Sequence, residues 1–320
     1  MRVAVLDLGT NVFNLLLADF EGVQFKIIKE FKAPAKLGGG GLSNGVIGEV
    51  AYKTATVALE LIMNQIKING GADVIVPYAT SAVRDAKNGA EFAMHLSQKF
   101  GIKINIIPGE REAELIFKGI MRSLGFLLSP DKFFINNQNA LMLDIGGGSN
   151  EFIITNGKEI LWKKSFPIGM ARMREKFNYV EPISKNVVNE FEEFCNSVLL
   201  ELWDQVNIFK PTIFVGSSGS FDTFRDLIYG VKEFEEPQVR LLREDLDRLN
   251  YRLIGSTSEE RMKMPGMHQI RVDYIVLASI FTQLVLNRVK PEVIYQSSYS
   301  LKEGAMFELF WKYLMGEELV

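Results

Sequence analysis

Asp144 and Glu151 stand on either side of a glycine run, Gly146, Gly147 and Gly148, followed by Ser149. A hairpin through the glycines folds the two carboxylates back toward each other. Paired carboxylate oxygens suit a hard divalent cation, Mg²⁺ first, held directly or through water. Glycines at such a turn let several backbone N–H groups approach one phosphate with no Cβ in the way. Ser149 and Asn150 add side-chain donors. The same pattern opens the chain, where Asp7 aligns with Asp144 and Gly9 with Gly146, an offset of 137 residues (144 − 7). There Thr10 and Asn11 are the polar turn residues. A single glycine hairpin is common; two in duplicate positions point to two related α/β halves built for an anion.

Catalysis on phosphorus also needs a group to take a proton from water. The segment PGEREAEL offers Glu110, Glu112 and Glu114 at the start of a predicted helix. Carboxylates there also meet the helix dipole favourably, for about 0.3–1 kcal/mol each, and spacing does not choose among them. Arg84, in YATSAVRDAKNG, follows the end of a predicted strand. An arginine in that loop can clamp phosphate in two-pronged fashion, or pair with Asp85 at the surface. His95 and His268 are read as incidental.

These residues need elements to position them. Apolar runs predict two strands joined at Gly9 to Asn11 and a third near Gln24 to Phe31. Helical spacing follows from Ile47 to Ile68, then a strand in ADVIVPYA, a helix from Asn88 to Phe100 and a strand at IKINIIPG. The run Gly38 to Gly41 is expected to be a loop. The second half repeats strand, glycine turn and strand at ALMLDIGGGSNEFIIT. One long helix is expected from Ser184, its N-cap, to Val206. Next, TIFVGSSGSFDTF reads as a strand running through a Gly/Ser turn into a helix. The strand VIYQSS and a helix from Leu301 to about Leu314 close the pattern. After GGGSNE comes a strand rather than a helix, which excludes a dinucleotide-binding fingerprint, and no P-loop sequence occurs.

Bulk properties narrow the classes. The chain has 320 residues, 47% of them hydrophobic, so two cores are expected. Two histidines and one cysteine exclude a zinc site built from those ligands and a disulfide framework. The lone cysteine and the Asp inside the first apolar run fit a cytoplasmic protein with no secretory signal. No apolar run is long enough to span a membrane. A net charge of −3 argues against a nucleic-acid binder.

With these motifs in view, the chain resembles the exopolyphosphatase/guanosine pentaphosphate phosphohydrolase family of the actin and sugar-kinase superfamily, in its short two-domain type. The likeness runs in order through DLGTNVFNLL, ATSAVRDAKNG, PGEREAELIF, DIGGGSNEF, PIGMARMREKF, VGSSGSF, PGMHQIRVDYI and SLKEGAMFEL. It implies two duplicated actin-like (ribonuclease H-like) α/β domains around a central cleft. Residues 1–124, completed by a C-terminal helix 301–320, would form the first domain and 125–300 the second.

The resemblance also implies roles. Glu112 falls on the family's general base, and Asp144 and Glu151 on its Mg²⁺-associated carboxylates. Thr10, Asn11, Gly146, Gly147, Gly148 and Ser149 fall on phosphate loops, and Arg84 on a phosphate-contacting arginine. Gly216, Ser217 and Gly219 match a third glycine turn of the superfamily. Departures include Asn14 for Arg or His, Asn150 for Thr, the Gly38 to Gly41 run, and Ser298 and Lys302 for Asp and Arg. The implied activity is Mg²⁺-dependent release of the terminal phosphoryl group of inorganic polyphosphate, by water that Glu112 activates. Hydrolysis of guanosine pentaphosphate is the alternative substrate reading. A sugar-kinase-like phosphotransferase and a non-catalytic polyphosphate or alarmone binder remain as other classes. A homodimer is compatible with the sequence but not readable from it.

Overall fold

A computed structural model describes residues 1–38, 45–125, 138–232, 234 and 236–319. The chain divides into two compact units, Met1–Gly119 with Ser300–Val320, and Ile120–Tyr299. Most of the expected Gly38 to Gly41 loop lies outside the described residues.

The first unit opens with a meander of β1 (Arg2–Leu8), β2 (Val12–Glu21) and β3 (Gln24–Pro34). Helix α1 (Glu49–Ile68) leads to β4 (Val74–Ala79), parallel to β1. Then come α2 (Ser81–Arg84), α3 (Gly89–Phe100), the short β5 (Asn105–Ile106) and α4 (Gly109–Ser123). The sheet order is β3-β2-β1-β4-β5. Arg84 thus sits on a one-turn helix, where the sequence suggested a loop: the amides of Val83 and Arg84 both bond back to the Thr80 carbonyl.

The second unit begins again with a meander, β6 (Ala140–Ile145), β7 (Asn150–Thr155) and β8 (Ile160–Phe166). Helices α5 (Met170–Lys176), α6 (Lys185–Val198) and α7 (Leu200–Phe209) precede β9 (Ile213–Ser217) and α8 (Ser218–Tyr229). After β10 (Gln238–Leu241) come α9 (Arg243–Ile254), α10 (Ser258–Met262), a 3₁₀ turn at Gln269–Arg271, α11 (Ile275–Val289) and β11 (Val293–Ser297). The sheet runs β8-β7-β6-β9-β11-β10, the order of the first sheet with one antiparallel edge strand added. The two sheets carry the duplicated actin-like topology. Strands β6 and β7 are buried along their whole length, in keeping with the apolar stretches 140–143 and 152–154. The single long helix expected from Ser184 is two, α6 and α7, which meet at Leu199. Ser184 caps the first, accepting from the Val187 amide at 3.4 Å.

Register shows the duplication residue by residue. Asp7 lies opposite Asn14 and Leu8 opposite Phe13. Adding 137 to each gives Asp144 opposite Glu151 and Ile145 opposite Asn150, as observed.

The final helix, α12 (Leu301–Met315), returns to the first unit. Phe310 packs edge-on against Phe20 and Phe25, with ring centroids 5.1 Å away in each case. α12 crosses α4 at two glycines: a Cβ on Gly304 would fall 1.8 Å from the Leu115 carbonyl oxygen, and one on Gly119 2.1 Å from that of Ser300. Close backbone approach is the reason for glycine at both positions.

The only cysteine, Cys195, is fully buried in the core of the second unit. Burial, with Glu192 adding to it, pushes its thiol up to about 12 from an ordinary 9.0. The native protein at pH 8 should therefore resist alkylation, and denaturation should release one reactive thiol. Because the folded value is the raised one, this group's contribution to stability is complete below pH 9.0. It is lost as pH rises toward about 12. Iodoacetamide labelling followed by intact mass checks the first point, and rapid labelling of the native state would contradict it. No helix among the described residues is long and apolar enough to cross a membrane.

Candidate active site

In the first unit, one register row across the sheet is polar throughout: Lys32, Asn14, Asp7, Tyr78 and Asn105. Asn14 donates from Nδ2 to Asp7 Oδ2 at 2.8 Å. Burial pushes the Tyr78 phenol up, so it remains a neutral hydroxyl. Above this row the turn Gly9–Asn11 is stapled to the chain after β3. The Asn11 carbonyl accepts from the amides of Ala35 (2.9 Å) and Lys36 (3.1 Å), and the Thr10 carbonyl from Gly38 (3.2 Å). Thr10 is buried, its Oγ1 3.2 Å from Ser81 Oγ. Asn11 Oδ1 has no hydrogen-bond partner among the described residues.

The three glutamates that spacing left equivalent occupy different surroundings. Glu110 is exposed. Glu114 pairs with Arg111 at 3.1 Å, and Arg111 also pairs with Glu308 of α12. Glu112 is buried and accepts from Arg84 Nη1 at 2.6 Å. Arg84 also donates to the Ile107 carbonyl at 3.2 Å and lies 3.4 Å from Asp85. The surface ion pair considered for Arg84 therefore exists, but the shorter contact is to Glu112.

In the second unit the equivalent row reads Ser165, Glu151, Asp144, Ser217, Ser297 and Gln238. Asp144 and Glu151 are directly opposite one another across β6 and β7, and both are buried. Ser217 Oγ donates to Asp144 Oδ2 at 2.8 Å. Glu151 Oε1 accepts from Ser149 Oγ (2.6 Å) and Ser165 Oγ (2.7 Å).

The Gly146–Ser149 turn is shaped by its neighbours. The Gly146 amide is spent on the Ser149 carbonyl at 3.1 Å, and a Cβ there would sit 2.6 Å from that oxygen. The glycine carbonyls face the start of α5: Met170 N bonds Gly146 O (2.9 Å), Ala171 N bonds Gly147 O (2.9 Å) and Gly169 N bonds Gly148 O (3.2 Å). Gly169 belongs to this construction although nothing in its spacing marks it; its Cβ would lie 2.4 Å from the backbone of Gly147 and Gly148.

The third glycine segment is not a turn. Gly216 lies inside β9, with the Phe221 ring filling its Cβ space at 2.2–2.4 Å. Gly219 lies in α8, where a Cβ would fall 2.2 Å from the Arg271 guanidinium. Strand passes directly into helix through Ser218, whose φ is +75° and whose Oγ donates to the Ile145 carbonyl at 3.2 Å. In place of glycine amides the segment presents the Ser217 hydroxyl and a seat for Arg271.

Arg271 is the residue the sequence reading missed. Burial holds its guanidinium below the ordinary arginine range, while Asp222 and Asp144 act in the other direction. The 3₁₀ turn that carries it is anchored by His268, whose Nε2 is 2.8 Å from Asp226 Oδ2. His268 is thus part of the scaffold of this region. Its segment, PGMHQIRVDYI, has neither apolar period nor glycine pattern to signal it.

Serine hydroxyls contact both carboxylates, Ser217 on Asp144 and Ser149 with Ser165 on Glu151, and an all-oxygen set of this kind fits a hard cation. Two carboxylates opposite each other on adjacent strands repel, and a cation between them would relieve that. No cluster of three or more His, Cys, Asp or Glu side chains suited to a metal occurs among the described residues.

Residues 16–312 match the model of the Ppx/GppA phosphatase family. The chain belongs to that family. As a member it is a hydrolase of the phosphoric-anhydride class. A crystal structure of an exopolyphosphatase from Cytophaga hutchinsonii superposes with a TM-score of 0.90 at 31% identity, covering 100% of this chain and 99% of that one. A structure of the Aquifex aeolicus Ppx-GppA enzyme shares the fold, with a TM-score of 0.75 at 23% identity, covering 96% of this chain and 99% of that one. Exopolyphosphatase 1 of Mycobacterium tuberculosis is 24% identical over 95% of this chain and 87% of its own length. A bifunctional 3-dehydroquinate synthase/phosphatase of Fusobacterium nucleatum is 29% identical over 95% of this chain. The chain spans about half the length of that relative, 46%.

Proposed function

We propose that this family member is a Mg²⁺-dependent exopolyphosphatase that releases the terminal phosphoryl group of inorganic polyphosphate. The names of the C. hutchinsonii and M. tuberculosis proteins support the substrate class. The observation that carries the chemistry is the Glu112–Arg84 contact at 2.6 Å. It sets a buried carboxylate beside the guanidinium suited to hold phosphoryl oxygens.

In this reading Arg84 exchanges part of its bond to Glu112 for the terminal phosphate, and the carboxylate turns to a water molecule. Water oxygen attacks the terminal phosphorus as the bond to the bridging oxygen breaks. The water proton passes to Glu112, and the chain leaves one phosphate shorter. Thr10, Asn11, Gly147, Gly148 and Ser149 would steady the remaining phosphates, with Arg271 supplying positive charge. Gly146 and Gly216 serve as space for backbone and ring. Asp144 and Glu151 would hold Mg²⁺, which when bound supplies neutralising charge to the transferred group. Phosphoryl transfer asks chiefly for positioning and charge, and these parts offer both.

The test is phosphate release from long-chain polyphosphate, short-chain polyphosphate and guanosine pentaphosphate, each with Mg²⁺ and with chelator. Release from polyphosphate should fall by on the order of tenfold or more when Mg²⁺ is removed. Release from guanosine pentaphosphate alone would move the assignment to a 5′-phosphohydrolase. Tight binding with no release from any of the three would make the protein a sensor.

A further inference from the structure

Ser165 lies on β8, in a stretch with no motif, directly opposite Glu151. Its hydroxyl donates to Glu151 Oε1 at 2.7 Å, and Ser149 donates to the same oxygen at 2.6 Å. We propose that Ser165 is the positioning residue that keeps Glu151 aimed at the cation. The inference rests on the reading of Asp144 and Glu151 as the Mg²⁺-holding pair.

Glu151 is 1% exposed, so its charge depends on donors supplied by the protein. The two donors are not equivalent. Ser149 ends the glycine turn proposed to steady phosphate, and an arriving phosphate oxygen competes for its hydroxyl. Ser165 is fixed in a paired strand on the other side of Glu151, where such competition does not reach it. It therefore holds the carboxylate plane when Ser149 is drawn away. The sheet supplies Asp144 with a similar partner from its other neighbour, Ser217 at 2.8 Å. Each carboxylate of the opposed pair is thus braced from outside by a serine on the next strand. In the first unit the position beside Asn14 is Lys32. The bracing serine accompanies the second carboxylate and is absent from the hairpin that lacks it.

The test compares wild type with Ser165→Ala, Ser165→Thr and Glu151→Gln. Mg²⁺ affinity is measured by calorimetry with the metal alone, and the Mg²⁺ dependence of phosphate release is measured separately. Loss of an outer partner of a metal-holding side chain typically weakens metal binding by about 10–100-fold. Ser165→Ala should show a loss in that range, both in calorimetry and in the Mg²⁺ concentration for half-maximal release, with a much smaller change in kcat at saturating Mg²⁺. Ser165→Thr, which keeps the hydroxyl, should recover most of the affinity. If Glu151→Gln abolishes Mg²⁺ binding while Ser165→Ala leaves it unchanged, the role given to Ser165 is wrong and the cation site stands. If Glu151→Gln binds Mg²⁺ as wild type does, the site reading fails and takes the Ser165 role with it. A loss in Ser165→Ala that Ser165→Thr does not recover also overturns the proposal, since the hydroxyl would not be the cause.

Discussion

Glu112→Gln should release phosphate from polyphosphate about 10²–10⁴-fold more slowly than wild type, at a substrate affinity changed little. The amide keeps the size of the carboxylate and an oxygen for the Arg84 guanidinium, 2.6 Å away in the native protein. It cannot take the water proton. What remains is positioning and charge stabilisation, which the rest of the site supplies. Removing one member of a buried ion pair also costs stability. Arg84 retains the Ile107 carbonyl and Asp85, so the variant should still fold, and a thermal melt beside the kinetics verifies this. The parallel substitutions Glu110→Gln and Glu114→Gln should leave turnover within a few-fold, since Glu110 is exposed and Glu114 pairs with Arg111. Wild-type turnover in Glu112→Gln would remove this residue from the chemistry altogether.

The second large effect concerns stability. Gly304→Ala places a methyl group 1.8 Å from the Leu115 carbonyl oxygen and 2.8 Å from the Gly119 nitrogen. Both obstacles are backbone, so no rotamer change relieves the overlap and α4 and α12 must separate. Overpacking of this kind costs about 1–3 kcal/mol when side chains can adjust, and more when they cannot. A fall in melting temperature of roughly 5–10 °C, or failure to accumulate as folded protein, is expected. Since α4 also carries Glu112, surviving protein should lose activity out of proportion to its folded fraction. Gly255→Ala is the control: its nearest outside atom would be at an ordinary 3.6 Å, and its melting temperature should stay close to wild type. Equal melting temperatures for the two variants would show that the helix crossing tolerates a methyl group.

The two hairpins were legible because a strand's apolar run and a glycine turn are local signals. The 137-residue offset carries down to register, Asp7 with Asn14 and Asp144 with Glu151. Glycine roles were less legible, because sequence records the absence of a side chain but not what fills the space. Gly216 and Gly219 looked like a phosphate turn and instead accommodate Phe221 and Arg271. Helix α11 is buried nearly all round, so it lacks the polar stripe that gives a helix its period. Strand β8 carries Trp162, Lys163 and Lys164 in succession, which obscures the alternation expected of a strand. The resemblance, not the spacing, singled out Glu112 from Glu110 and Glu114, and its contact with Arg84 joins residues 28 apart. Spacing along one helix does not contain it.

Chain connectivity adds a constraint that operates during synthesis. The first unit is left at Gly119 and rejoined only at Ser300, so the bed formed by Phe20 and Phe25 waits for Phe310 while about 180 further residues emerge. At ribosomal speeds that delay is roughly 10–40 s, during which the second unit can finish folding and the first cannot. The nascent amino-terminal sheet therefore spends this interval with an aromatic surface open to chaperones and to aggregation.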